Sequence, residues 1–326
     1  MTSRRPRAAL TRTAIVTALA AMILAGCGEI KNTIKPQPGT ANQVTVALDG
    51  SPNAFYAGLY EAQARGYFRQ SDLNVHLVVP AAGQDPVTMV HDGQVLVAVS
   101  SQPSVLLHRN EDQPVVSVAA LVQVPLAAIA IPVPRSGPSG GAPVTSTTTA
   151  ATRTATTRTK RTKRPTTHTS TSTTTTTTPT TTTVAEPDAA GWPAQLQQLL
   201  SQPSAPTYSG LVLVVRKGTI VQHAGLIRRF VQAVARGYRA ARRNPSQAIT
   251  NLTRAVPALA PEQPLQLATL KAAMPYLFPT GKKVWGWQRQ VQWNAFGTWL
   301  TQNHLLSNPN AISDATTNEL LQAQGV

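Results

Sequence analysis

From Val44 onward, short apolar runs rich in β-branched residues recur along the chain: VTVAL, LNVHLVV, VLVAV, VVSVAALV and LAAIAI. Segments with helix or turn signals separate them, and this alternation predicts an α/β fold on a parallel sheet whose strands are buried on both faces. Between the first two runs, SPNAFYAGLYEAQARGYF carries helix punctuation, with Ser51 as N-cap, Pro52 at the first helical position and Gly66 as the stop. Phe55, Leu59 and Ala62 recur at helical spacing and are expected to face the sheet, which leaves Tyr56, Tyr60 and Gln63 on another face.

Past Pro134 the pattern collapses into Ser, Gly and Pro, then into the tract TTRTKRTKRPTTHTSTSTTTTTTPTTTT. Residues 135–206 read as a Thr/Pro/Arg-rich, low-complexity stretch, mostly disordered because it has too little apolar surface to offset its ordering entropy, although patterning returns within it at WPAQLQQLL. LVLVV, residues 211–215, reads as a strand. In GLIRRFVQAVARGYRAARRNP, Leu226, Phe230, Val234 and Tyr238 repeat every four residues with Arg opposite, the mark of an amphipathic helix. Trp293, Phe296 and Trp299 also have helical spacing, which assigns them to core packing rather than to a stacking surface.

Charge changes this picture less than its total suggests. The net charge is +16, but 16 of the 29 Lys and Arg fall in three separate clusters: at Arg4–Arg12, at Arg153–Arg164 and along Arg228–Arg243. The remainder balances the 13 acidic residues, so no contiguous basic face for nucleic acid is expected. The first cluster precedes the apolar run AIVTALAAMILAG and then Cys27, the sole cysteine. LAGC matches the bacterial lipobox, which predicts a signal peptide over 1–26, lipidation of Cys27, a polar tether over 27–43 and a membrane-anchored protein outside the cytoplasm, with no intrachain disulfide.

In an open α/β sheet, ligands bind beyond the carboxyl ends of the strands, where helix N-termini converge. That rule selects Asp49, Ser51, Asn53 and Tyr56 after the first strand, Ser100, Ser101 and Gln102 after VLVAV, and Gln123 after VVSVAALV. The six histidines show no metal-ligand spacing, and neither a metal nor a cofactor is expected.

Taken together, VTVALDGSPNAFYAGLYEAQARGYF, GQVLVAVSSQPSVLL, LVLVVRKG and the Trp-rich helix resemble the ABC-transporter solute-binding lipoproteins of the thiamine-pyrimidine-precursor, alkanesulfonate and taurine branch. The resemblance covers roughly residues 44–134 and 207–326. It implies a periplasmic-binding-protein-like type II fold of two α/β lobes with the ligand held between them, and an ABC permease as partner for delivery of a small-molecule solute. Residues 44–134 are then the first lobe, LAAIAIP is the outgoing crossover, and 207–326 supply the return strand and a C-terminal helical part. Strands of the second lobe find no counterpart in 135–206, so that lobe is expected to be incomplete. The tract is either a stretch read out of frame or a linker.

The solute implied is a thiamine pyrimidine precursor, with sulfonate, taurine and riboflavin as alternatives. Relatives of this kind usually carry Trp at the place of Gly50 and His at that of Tyr56, which reduces the stacking surface here. A degenerate copy that no longer binds and a surface stalk are the non-binding readings. Eukaryotic relatives that synthesise the thiamine pyrimidine use a lysine and a cysteine-rich segment. Residues 44–134 contain no lysine, so an enzyme is not expected.

Overall fold

The computed structural model describes residues 42–132, 181–279, 281 and 284–321. The proposed signal peptide, Cys27, most of the tether and most of the threonine tract lie outside them.

Seven strands and nine α-helices occur among the described residues. Strands β1 (Gln43–Ala47), β2 (Asn74–Val78), β3 (Val97–Ser100), β4 (Val115–Val122) and β7 (Leu211–Arg216) form one sheet in the order β2-β1-β3-β7-β4. β1 pairs in parallel with both β2 and β3. β7 pairs antiparallel with β3 and β4, with register shifts between Ser117 and Ala119 and between Ala120 and Val122. The strand after the threonine tract thus completes the sheet begun before it, so the chain leaves and re-enters one lobe. The outgoing segment forms β5 (Ile131–Pro132), and β6 (Thr181–Thr182) pairs with it antiparallel. That two-stranded ribbon is the one other sheet among the described residues.

Burial on both faces explains the unbroken apolar runs. All eight residues of β4 are buried, as are Leu211 to Val215 of β7. Alternation divides them between two cores: Leu211, Leu213 and Val215 pack with Val44, Val46, Val97 and Val99 on one face. On the other, Val212 and Val214 pack with Ala47, Ala98 and Val115. Each fully buried Val or Leu contributes about 1.5–3 kcal/mol over an exposed one.

The first face is covered by α1 (Ala57–Ala64), α6 (Lys217–Arg243), α7 (Pro245–Ala255) and α8 (Gln263–Leu277). The second carries α3 (Pro86–His91), α4 (Gln102–Asn110), α5 (Ala194–Leu200) and α9 (Gln290–Gln302). Trp293 and Phe296 are core residues there, with Trp299 packed against them. In α6, Phe230, Val234 and Tyr238 are fully buried and Leu226 packs against their cluster, while His223 departs from helical geometry and marks a kink. The remaining helix, α2 (Tyr67–Gln70), follows Gly66, whose φ of 68° is the left-handed stop expected of it. None of the described helices is long and apolar enough to cross a membrane.

One expectation is corrected. Asn53, not Ser51, caps the first helical turn: Phe55 N donates to its side chain at 2.9 Å, and Ser51 is exposed. Tyr56 and Tyr60 are buried like Phe55, Leu59 and Ala62, and α6 and α7 pack against that helix. Within residues 135–206, the segment around WPAQLQQLL is structured. A 3-10 turn at Pro187–Gly191 and helix α5 follow β6, because Trp192 and Leu196 have an apolar core to enter.

Candidate functional site

Asp49 stands just past the end of β1. Its Oδ1 accepts a hydrogen bond from the Tyr56 hydroxyl, and its other oxygen, Oδ2, is buried without a partner. Asn53 is spent on its cap and on the Ser51 carbonyl. Beyond β3, Ser101 caps α4 by accepting from Ser104 N at 3.3 Å.

The groups gathered around that cap point to Asp188, in the turn before α5. Its Oδ2 accepts from Ser101 N at 3.0 Å, Ser100 Oγ at 3.2 Å and Ser104 Oγ at 2.7 Å. A carboxylate thus sits at the N-terminus of α4, the place a helix offers to an anion. Trp192 Nε1 donates to the same Ser104 oxygen at 2.7 Å. Nearby, Glu186 Oε1 accepts from Leu126 N and from the Tyr208 hydroxyl. Asp188 Oδ1 and Glu186 Oε2 are, like Asp49 Oδ2, buried without partners. Three carboxylates therefore repeat one arrangement: one oxygen is held by the protein, and the other is withdrawn from water and unpaired.

Burial and mutual repulsion make this costly, and the acidities respond. Burial, then the charge of Asp188, pushes Asp49 up to about 7 against the hydrogen bond from Tyr56. Glu186 rises to about 8 through burial, then Asp188, against its bonds from Leu126 and Tyr208. Asp188 is raised by burial despite its serine donors. Tyr56 is driven well above its ordinary value by burial and by the Asp49 charge. Among the described residues no group of three or more His, Cys, Asp or Glu is arranged to hold a metal ion.

Of the residues expected from sequence, Asp49, Tyr56, Ser100 and Ser101 are thus brought together by bonds or charge. Gln102 is turned toward the entry of β7, where its Oε1 accepts from Ser209 N at 3.0 Å and its backbone N donates to Ser209 O. Gln123 borders a separate cavity with Trp285 and Arg242. Glu186, Asp188 and Ser104 were not anticipated. A signal for the first two was present: no acidic residue occurs between Asp112 and Glu186, and EPDAAGW ends that gap with two acids and a tryptophan.

Pro187 closes over the tips of the strands. A Cβ added at Gly50 would lie 2.8 Å from Pro187 Cβ, so a large side chain at position 50 is incompatible with the turn where it stands. Beside the turn, Asp85, His108, Ser104, Asp188 and Trp192 border a cavity of about 240 Å³.

Parts of the chain are similar to known proteins. The family described as NMT1/THI5 like matches residues 53–134 and 193–248. A formylaminopyrimidine-binding protein of Halalkalibacterium halodurans is 39% identical over 108 residues, 33% of this chain and 32% of that protein. A 4-amino-5-hydroxymethyl-2-methylpyrimidine phosphate synthase of Saccharomyces cerevisiae is 23% identical over 90 residues, 28% of this chain and 26% of that one. The chain thus matches about a third or less of the length of these relatives. A solved protein of Bordetella bronchiseptica RB50 shares the fold with a TM-score of 0.52, at 13% identity, over 86% of this chain and 96% of that one. The two sequence matches agree with the resemblance read from the sequence, and the Bordetella bronchiseptica protein shares the α/β fold.

Proposed function

We propose that this chain, similar to NMT1/THI5-like proteins, is an extracytoplasmic solute-binding protein of an ABC importer, and that its solute is a small nitrogen heterocycle rich in N–H donors, of the thiamine-pyrimidine-precursor kind. The observation that carries the reading is the trio of half-used carboxylates, Asp49, Glu186 and Asp188, each with a buried oxygen lacking a donor. An unpaired buried acceptor costs about 1–3 kcal/mol, and more when charged, so a ligand that supplies the donors recovers that cost on binding. An aminopyrimidine presents an amino group beside a ring nitrogen, a pattern complementary to carboxyl groups. The similarity to the formylaminopyrimidine-binding protein supports the same class. Sulfonates and taurine fit less well, because their anionic ends would meet three acidic groups.

In this reading the residues bind and do not catalyse: Asp49 and Glu186 accept from the ligand, Tyr56 and Tyr208 orient them, and Ser100, Ser101 and Ser104 fix Asp188. Anchoring by a lipidated Cys27 and hand-over to a permease complete the proposal.

Titration calorimetry on the full chain tests it. Hydroxymethylpyrimidine or formylaminopyrimidine is expected to bind at least tenfold more tightly than taurine, and Glu186→Gln is expected to weaken the pyrimidine at least tenfold. Equal affinity for taurine, or no heat with either pyrimidine, would overturn the reading.

A further inference from the structure

Two of the three carboxylates are brought side by side by the strands beneath them. β1 and β3 pair with Ala47 beside Ala98, and the same register carried two residues further sets Asp49 beside Ser100. Ser100 Oγ donates to Asp188 Oδ2 at 3.2 Å. The next residues along each segment meet as well, since a Cβ at Gly50 would lie 2.8 Å from Pro187 Cβ. Each carboxyl group has one oxygen supplied with donors: Asp49 Oδ1 by the Tyr56 hydroxyl, Asp188 Oδ2 by Ser100, Ser101 and Ser104. Each has its other oxygen, Asp49 Oδ2 and Asp188 Oδ1, buried without a donor. Two ionised carboxylates repel in such a place, whereas a carboxylic acid beside a carboxylate does not, because one proton supplies the donor that both oxygens lack.

We propose that Asp49 and Asp188 hold one proton between Oδ2 of the first and Oδ1 of the second, and that this pair is a pH-sensitive latch fastening the Glu186–Trp192 turn to the tips of β1 and β3. With the proton in place the pair carries one negative charge and the turn stays down against Gly50 and Ser101. Release of the proton to water leaves two negative charges side by side. The turn is the side that yields, since Asp49 follows a strand paired on both edges while Pro187–Gly191 is a single 3-10 turn. The acidities agree in direction: burial and then the charge of Asp188 push Asp49 up to about 7, and burial raises Asp188 despite its serine donors. Other titratable groups face the pair. Glu186 is raised to about 8, and the hydroxyls of Tyr56, Tyr208 and Tyr238 are raised above their ordinary value. Across Ser104 stand the Asp85–His108 ion pair and Glu111. His108 is raised as well, and loss of its positive charge acts in the same direction as the latch, so the test separates the two. The inference goes beyond the solute reading and is independent of it, because its readout is the turn in the unliganded chain.

Hydrogen exchange on the full chain, corrected for the intrinsic effect of pH, is followed at Ser101 N, which donates to Asp188, and at Ala189 N and Trp192 N, which bond within the turn. Amides of β4 serve as the reference for global opening. Protection at the three positions is expected to fall about tenfold relative to β4 between about pH 6 and 8.5. Asp49→Asn keeps an acceptor for Tyr56 and turns a permanent N–H toward Asp188, so its protection is expected to stay constant to within about twofold. Asp188→Asn supplies the N–H from the other side and is expected to do the same, so either variant decides the matter if the other fails to fold. His108→Gln is expected to retain the loss seen in wild type. Constant protection in wild type, an undiminished loss in a carboxamide variant, or a loss abolished by His108→Gln would overturn the inference.

Discussion

Asp49 and Glu186 hold their protons into the neutral range, at about 7 and about 8, against ordinary values of 3.8 and 4.5. Because the folded-state values are raised, the native chain binds more protons than the unfolded one across this interval. Their stabilisation is complete below about pH 4 and is lost as the pH rises through 7 to 8. The unliganded protein should therefore lose thermal stability between pH 5 and 8.5, and Asp49→Asn should flatten that decline. The Asp85–His108 ion pair contributes in the same direction on its basic side: burial lowers His108, but the Asp85 carboxylate more than offsets it and leaves the imidazole raised. For that reason the diagnostic quantity is the difference between wild type and Asp49→Asn in differential scanning calorimetry, not the wild-type curve. A donor-rich ligand needs the ionised acceptors, so its affinity should rise with pH over the window in which stability falls. A pyrimidine affinity that is flat from pH 6 to 8.5 would argue against carboxylate recognition. At this scale Asp49, Ser100 and Ser101 were legible because strand ends announce themselves locally. Asp188 was not, since it reaches Ser104 across 84 residues and lies beyond a tract without pattern.

Between elements, the closest approach on the first face is where α1 crosses α6. A Cβ at Gly237 would lie 2.1 Å from the Gly58 carbonyl oxygen, and one at Gly58 would lie 2.2 Å from the Tyr238 ring. Backbone that close has no side chain to yield, so Gly237→Ala must separate the helices and disturb Phe55, whose carbonyl accepts from the Tyr238 hydroxyl at 2.8 Å. A cost of about 3 kcal/mol is expected from overpacking of this kind. Gly225 in the same helix is the control, since a Cβ there meets nothing within 4 Å. Gly225→Ala should add up to about 1 kcal/mol through helix propensity. Chemical denaturation of both variants checks the pair, and similar midpoints would mean that the crossing is not held at the glycines. Periodicity predicted both helices because the apolar stripe is a property of each alone. It could not reveal the crossing, nor the burial of Tyr56 and Tyr60, because those depend on which helix arrives on the far side.

For the whole molecule, the consequence of β7 entering between β3 and β4 is that the first lobe needs both ends of the chain and little of its middle. Runs of apolar residues disclosed the strands, while their order rested on a pairing that spans the tract and could be supplied only by resemblance. Pro132 and Thr181 are paired across the β5–β6 ribbon, so the chain re-enters the described structure beside the point at which it leaves. Residues 133–180 can therefore be replaced by a two-residue Asn-Gly turn without moving either end. If those residues act only as a loop, shortening it lowers the entropic cost of closure by roughly 0.6 kcal/mol for each halving, for a gain of about 3 kcal/mol. The shortened chain should fold to the same lobe and melt several degrees higher. A lower melting temperature would show that the tract contributes contacts to the lobe. Loss of pyrimidine binding alone, with the fold kept, would assign the tract a part in ligand binding.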